Sequence, residues 1–439
     1  MMLATPGLTW AQQVEVNVEG DYPQLQDNAE AFLGEVEGRS AGSLRRYAST
    51  AEAQVEEALR ALGYYSPMIQ WEVVEQPGDD ETPARLVLTV QPGEPIRVRS
   101  RQVSIEGPAS RDPDFVGTLP EKPSEGDVLN HGQYSTLRQT IQNRATRLGD
   151  FDGEFTTRRL EVNPEQHTAD ISLVFRSGVR YRLGEVSFKE GHGFEEQLLE
   201  QFVRFEPGEI YHADKVARLS GDLSNSGYFS GVDIDASPGK AEEGVIPVSV
   251  DLTTRPPRSV AAGVGFSTDV GPRFSGNWRE HWINPMGHRR GAQTELSVPR
   301  QNVGAWYELP LDPPMTDSIR LSAGYQREDI EDVESELLTL GQQWKHQLDN
   351  GWLQVASIRW EGERFRIGDD DPEQSSLLLP GLGYSKLQAD SPLDPSRGYR
   401  IQFDVTGSHR AVISDVDILH ANVLVKGLYT LADNHRFLS

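Results

Sequence analysis

Cysteine is absent from all 439 residues. That excludes disulfide frameworks, thiolate metal sites and cysteine nucleophiles, and it suits an oxidising compartment as readily as any other. Nor does any run approach the ~18 consecutive apolar residues of a membrane-spanning helix. That absence leaves membrane strands open, since a strand crosses with about 9–11 residues and needs only one apolar face. Basic residues are outnumbered, 42 Lys and Arg against 67 Asp and Glu, for a net charge of −25. Phosphate backbones would be repelled by such a chain, so no nucleic acid partner is expected. The 37% hydrophobic content is enough for packed cores, which excludes wholesale disorder.

Recognisable catalytic chemistry is missing too. Gly38-Arg39-Ser40-Ala41-Gly42 has the spacing of a nucleophile elbow, but that turn needs a strand before it, and a helical pattern from Leu25 to Leu33 precedes it here. The ten histidines show no metal-ligand spacing, and His281 and His288 merely flank a turn. Asp369, Asp370 and Asp371 read as a solvated acidic loop. Gly381-Leu382-Gly383 sits inside a strand pattern and forms no phosphate loop. No catalytic residue, cofactor or metal is expected, and the protein is read as a non-enzyme.

What is present is a repeat. Three amphipathic helical patterns end in a glycine–aromatic corner: Leu44 to Gly63-Tyr64-Tyr65, Tyr134 to Gly149-Asp150-Phe151, and Val216 to Gly227-Tyr228-Phe229. Apolar residues at i, i+3, i+4 and i+7 give each a buried stripe, and glycine stops each helix. A strand pattern follows each corner (Met68 to Trp71, Phe155 to Arg158, Val232 to Ile234). A second follows in turn, at Arg85 to Val90, Asp170 to Phe175 and Pro247 to Leu252. Gly93-Glu94-Pro95-Ile96-Arg97 leads to Val103-Ser104-Ile105-Glu106-Gly107, and Gly178-Val179-Arg180-Tyr181-Arg182 leads to a similar phrase at Val186 to Gly191. Val14 to Gly20 opens the first unit in the same way, and a shorter helix is expected from Glu195 to Phe205. The spacing predicts three β-α-α-β-β units of about 80–85 residues each. Ahead of them, Met1 to Gln13 reads as a secretory signal remnant, with Leu3, Leu8 and Trp10 leading to Ala11.

Beyond Arg255-Pro256-Pro257-Arg258 the helical period gives way to alternation. Val260, Ala262, Val264 and Phe266 face one way, with Ala261, Gly263, Gly265 and Ser267 opposite. The same two-residue period runs through Ala292 to Val298, Ile319 to Gln326 and Tyr399 to Thr406. About ten strands of an antiparallel transmembrane β-barrel are expected, apolar outside and polar within. Asn284-Pro285-Met286-Gly287, Asp349-Asn350-Gly351 and Ala432-Asp433-Asn434 predict tight turns at one end. Glu328 to Glu336 and Asp369 to Asp371 predict longer acidic loops at the other. The last strand pattern breaks off at Leu438-Ser439, so the chain is expected to be a fragment.

Repeats of this kind ahead of a barrel resemble the polypeptide-transport-associated (POTRA) plus barrel superfamily of outer-membrane assembly factors. Trp278 to His288 is similar to its early barrel, and Asp394-Pro395-Ser396-Arg397-Gly398-Tyr399 to a turn and strand start found across it. Three repeats point to the TamA family rather than to BamA or the two-partner secretion transporters. The expected organisation is a signal remnant (1–13), POTRA-like domains at 14–93, 94–177 and 178–256, and a partial barrel at 257–439, its closing strands and inward-folding loop lying beyond Ser439. The resemblance implies the outer membrane of a Gram-negative bacterium, with the repeats in the periplasm. It implies assistance to the folding of β-barrel proteins, autotransporters included. Implied partners are unfolded barrel clients, outer-membrane lipid and a TamB-like periplasmic protein. A two-partner secretion pore and a fused hydrolase are the rival readings. The first barrel strand, through Val260, Ala262, Gly263, Val264, Gly265 and Phe266, is the candidate client-binding edge, since glycines weaken a strand and admit close backbone approach.

Overall fold

The computed structural model describes residues 13–34, 36, 39–75, 84–117, 119–268, 271–391, 394–431 and 435–438. Met1 to Gln12, Gly38 and the expected Ala432-Asp433-Asn434 turn lie outside the described residues. The chain divides into two units, 1–182 with 210–213, and 183–209 with 214–439.

The first unit holds two repeats. In the first, β1 (Val14–Val18), α1 (Pro23–Leu33), α2 (Ala41–Ala61), β2 (Met68–Val74) and β3 (Arg85–Gln91) form a sheet of order β1-β3-β2 beneath two helices. β1 runs parallel to β3 and β2 antiparallel. The alternate residues Leu86, Leu88 and Val90 of β3 and the stripe Leu44, Ala48, Ala51, Val55 and Leu59 of α2 are buried together. Ser40 supplies the N-cap of α2 by accepting from the Ser43 N–H, so the serine of the elbow-like motif stabilises a helix start. At the other end Gly63 has φ +92°, and a Cβ there would lie 2.3 Å from the Leu129 carbonyl oxygen. Its own carbonyl accepts from Ile96 N at 2.8 Å. Gly63→Ala should therefore cost at least about 1–3 kcal/mol from backbone strain alone. A urea titration of the helical signal checks this.

The second repeat contains β4 (Arg97–Glu106), α3 (Pro113–Val116), α4 (His131–Leu148), β5 (Glu154–Asn163) and β6 (Thr168–Arg176), in sheet order β4-β6-β5. Asn130 caps α4 and Gly149 ends it in the left-handed region. Leu137, Ile141 and Ala145 pack on Ile171, Leu173 and Phe175.

The second unit opens with the third repeat: β7 (Arg182–Phe188), α5 (Glu196–Glu200), α6 (Ala213–Asn225), β8 (Phe229–Asp235) and β9 (Val245–Thr254), in order β7-β9-β8. Its α5 is shorter than the Glu195–Phe205 pattern predicts. Phe202 and Phe205 are still buried, from irregular backbone beyond the helix.

An 11-stranded antiparallel sheet follows, each strand pairing with the next. Its strands are β10 (Arg258–Ser267), β11 (Gly271–Glu280), β12 (Arg289–Ser297), β13 (Arg300–Pro310), β14 (Ser318–Ile330), β15 (Val333–Gln347), β16 (Leu353–Ile367), β17 (Glu373–Ala389), β18 (Arg397–Ser408), β19 (Ile418–Leu431) and β20 (His435–Leu438). β10 is one border of the sheet.

One part of the loop expectation fails. The described connections near the third repeat run from five residues (348–352) to eight (281–288), and those at the other end from two residues to nine (409–417), with Asp369 to Asp371 in the connection 368–372. At the far end, Val298-Pro299 and Glu331-Asp332 join their strands through two residues each. Glu328 to Glu336 is therefore the head of the β14–β15 hairpin and not a loop.

Candidate functional site

Strand register determines which side chains share a face. Starting from Val260, Val264 and Phe266, the pairing carries one face through Trp278 and Phe274 to Ala292 and Leu296, then to Ala305 and Val303. It continues through Ala323 and Tyr325 to Leu340 and Leu338, and on to Trp360, Leu378 and Leu382. It ends on Val405 and Phe403, Ala421 and Val423, and, lower down, Tyr429 and Phe437. The opposite face carries Asn277, Gln293, Asn302, Gln326, Glu361, Glu363, Gln402 and Asp404 in the same registers. Many of the apolar side chains are exposed, Val264 at 89% and Val423 at 63%. A continuous exposed apolar surface of this extent has no place in water. An outward apolar band with a polar interior is the surface that lipid requires of a membrane barrel.

β10 is the edge of that surface. It pairs with β11 along its whole length, from Arg258↔Glu280 to Ser267↔Gly271. Val260, Ala262, Val264 and Phe266 lie on the apolar face. Gly263 and Gly265 lie on the polar one, so the six candidate residues share the strand and are split between its faces. A Cβ on Gly263 would sit 2.8 Å from Ser275 Oγ, and one on Gly265 would sit 3.1 Å from Arg273 Nε. The glycines thus make room for side chains of β11 folded across β10.

Two features at the base of the strand escape a reading based on alternation. The first is a charge clamp. Glu280, 3% exposed, is held by Arg258 Nε at 2.6 Å on one side and by Arg290 on the other. The three residues sit in adjacent register, and the Arg290 guanidinium also lies 5.4 Å from the Trp278 ring centre. The charges inside Trp278-Arg279-Glu280-His281, interrupting an apolar alternation, were the available signal.

The second is the joint between the third repeat and the β11–β12 turn. Tyr228 is completely buried and donates from its hydroxyl to the Gly287 carbonyl at 2.7 Å. Burial holds that phenol above its ordinary pKa. The Arg289 guanidinium lies 4.3 Å over the Tyr228 ring and donates to the Ser226 carbonyl at 2.6 Å. Phe194 packs edge-on to Trp282, and Glu195 N donates to the Pro285 carbonyl at 3.0 Å. Gly287 has φ +75°, and a Cβ there would come within 2.7 Å of both Leu198 and the Tyr228 hydroxyl. The Asn284-Pro285-Met286-Gly287 turn is therefore a docking element as well as a turn.

The remaining candidates find structural roles. His288 Nδ1 and the Tyr307 hydroxyl are 2.8 Å apart. Gly381 and Gly383 face the polar side beneath Ser357, Thr406 and Asp404. Asp369, Asp370 and Asp371 are exposed. Among the described residues no group of His, Cys, Asp and Glu could hold a metal ion. The repeat sheets also have borders, and β2 presents exposed Met68, Trp71 and Val74.

Residues 15–92 match the family described as POTRA domain TamA domain 1, and residues 181–255 match POTRA, surface antigen variable number repeat. The outer membrane protein assembly factor BamA of Nitratidesulfovibrio vulgaris is 21% identical over 325 residues, 70% of this chain. The chain spans 41% of that relative's length. BamA from Haemophilus ducreyi lacking POTRA domains 1–3 shares the fold, with a TM-score of 0.59 at 14% identity, over 78% of this chain and 69% of that one. CdiB from Escherichia coli aligns over 91% of this chain and 74% of that one, at 12% identity and a TM-score of 0.42. The chain thus carries POTRA domains ahead of a BamA-like barrel sheet. It belongs in the outer membrane of a Gram-negative cell, with its repeats in the periplasm.

Proposed function

We propose that this protein assists the insertion and folding of outer-membrane β-barrel proteins, autotransporters among them, and does so without catalysis. The observation that carries the reading is β10, the first strand of a two-faced sheet and a border among its described strands. Its outward side chains match lipid, and its base is pinned by the Arg258–Glu280–Arg290 clamp. A client strand in hydrocarbon must pair its backbone amides and carbonyls. A border strand already at membrane depth offers those partners, and its apolar face lets the growing hybrid sheet stay in lipid. The clamp holds the template's base in place while its far half meets the client. The borders of the repeat sheets, β2 above all, would receive extended segments by strand addition. A TamB-like periplasmic protein is the partner we assign to the first repeat, on the strength of its TamA-type match.

A photo-crosslinking residue at Val264 tests this in cells pulse-labelled for an autotransporter. Adducts to membrane-inserting client strands, strongest early in the pulse, are expected. Adducts confined to a secreted passenger would instead assign a two-partner-type pore. A correctly inserted barrel with no client adduct would remove β10 from the mechanism.

A further inference from the structure

The β17–β18 ladder is incomplete. β17 pairs with β16 from Glu373 to Ser385, but its pairing with β18 begins only at Gly381↔Thr406. Pro380 is the first residue past that point, and it has no N–H to offer a ladder. Above it the edge of β17 is closed by residues 409–417, which join β18 to β19. Asp415 N donates to the Ser376 carbonyl at 2.9 Å, Leu378 N donates to Ser414 Oγ at 2.9 Å, and Ser376 Oγ donates to the Ile413 carbonyl at 3.3 Å.

The connection caps the edge without filling the space that a continued β18 would occupy. What remains is an open groove of about 540 Å³, walled by Leu378, Pro380, Gly407, Val412, Ile418 and Leu419, with His409 and Asp417 at its rim. Leu378 is in register with Trp360, and Pro380 with Ile358, both on the apolar face. Leu419 lies on the same face, two residues from Ala421, and is 80% exposed. The groove is therefore continuous with the lipid-facing band. It lies at the end of the sheet remote from the third repeat, which is the outer-leaflet end.

We propose that this groove binds one acyl chain of lipid A, the lipopolysaccharide anchor of that leaflet. The Ser376 N–H and carbonyl and the Leu378 N–H are already bonded to residues 414 and 415, and Pro380 has no N–H, so an extended peptide would gain little ladder there. A flexible hydrocarbon chain needs none. Gly407 lines the groove, and a Cβ there would already lie 3.0 Å from the Ile418 carbonyl oxygen and 3.6 Å from Leu419 Cδ1, so a larger side chain would take up its space. Arg410, next in sequence to the lining residue His409, has a side chain 67% exposed and 4.0 Å from Asp417, and in this reading its guanidinium meets a phosphorylated headgroup. The assignment rests on the membrane location of the sheet and is independent of any role in assembly.

The test is native mass spectrometry of the full chain released from nanodiscs holding phospholipid and a minor fraction of lipid A. Wild type should retain one lipid A in preference to phospholipid. Gly407→Phe, which fills the groove, should lower that retention at least tenfold. Arg410→Gln should weaken it without changing phospholipid carry-over. Folding of each variant is read from its heat-dependent gel shift. Should Gly407→Phe not fold, Leu419→Trp narrows the groove from the paired position on β19 and decides the matter. Equal retention by a folded groove variant and by wild type overturns the proposal. So do lipid A at its bulk proportion, a phospholipid retained in its place, or a peptide found in the groove.

Discussion

Tyr228→Ala should unfold the third repeat at markedly lower urea and release it from the barrel base. Removing a fully buried aromatic side chain costs about 3–5 kcal/mol. Tyr228 adds a hydrogen bond to Gly287 and a cation–π contact with Arg289 to that packing. Tyr228→Phe separates the two roles. It keeps the ring in the core among Phe194, Phe202 and Phe229, but leaves the Gly287 carbonyl without that donor, a loss of about 1–3 kcal/mol for a buried group. Protease attack between Arg255 and Arg258 reads the joint, and far-UV circular dichroism reads the repeat, because the described helices all lie in the repeats. The alanine variant should raise cleavage and lower the helical midpoint. The phenylalanine variant should raise cleavage with a smaller midpoint shift. If Tyr228→Phe leaves cleavage at the wild-type rate, the hydroxyl is incidental and the joint rests on Arg289 and Trp282. Gly287→Ala approaches the same contact from the barrel side, and its added methyl must displace Leu198 or the tyrosine hydroxyl.

The repeats were legible because each helix has to bury one stripe and each glycine corner has to stop it, and both demands are written locally. The apolar period of α2, α4 and α6 and the positive φ of Gly63, Gly149 and Gly227 satisfy those demands. The barrel face was legible for a related reason, since lipid outside and water inside force a two-residue period at membrane depth. That same cause explains the misreading of Glu328 to Glu336. Where β14 and β15 extend past the apolar band, water meets both faces and nothing enforces alternation. Charged residues there pair across strands, Glu334 with Arg366 and Glu328 with Arg300. In sequence they look like a loop. The Tyr228–Gly287 contact was illegible on other grounds, for its partners are 59 residues apart, and neither the corner that holds Tyr228 nor the turn that holds Gly287 points to the other. The candidate strand was found by its glycines, whereas the clamp that fixes its base was found only by seeing Glu280 between two arginines.

Arg180→Ala should be the most damaging single change in the first unit. The side chain bonds Asp150 through Nη2 at 2.9 Å and Nε at 3.4 Å, and its Nη1 reaches Asp112. Asp150 sits in the corner that ends α4, and Asp112 caps α3, so one guanidinium ties two helix termini together. Burial raises the Asp150 carboxyl above its usual range and Arg180 only partly offsets this. Burial also pushes Asp112 upward, but the Arg180 bond and the Asp114 and Phe115 amides outweigh it and leave that carboxyl below its usual range. Removing one partner of a buried pair strands the other charge, at a cost of about 3–5 kcal/mol. The pH dependence distinguishes this from a packing loss. In wild type, Asp112 contributes stability that is present above the ordinary carboxylate range and lost as pH falls through its depressed value. Asp150 has the opposite sign, and its contribution fades as pH rises through its elevated value. Without Arg180 both carboxyls lose a contribution that lowers them, so both move upward and the folded state holds protons more strongly than in wild type. The deficit of Arg180→Ala in urea titrations should therefore be larger at pH 7 than at pH 4. Arg180→Lys should recover part of it, keeping the charge but losing the fork that engages both aspartates. A deficit of the same size at both pH values would mean that packing around Arg180, and not its charge, holds the two helix ends.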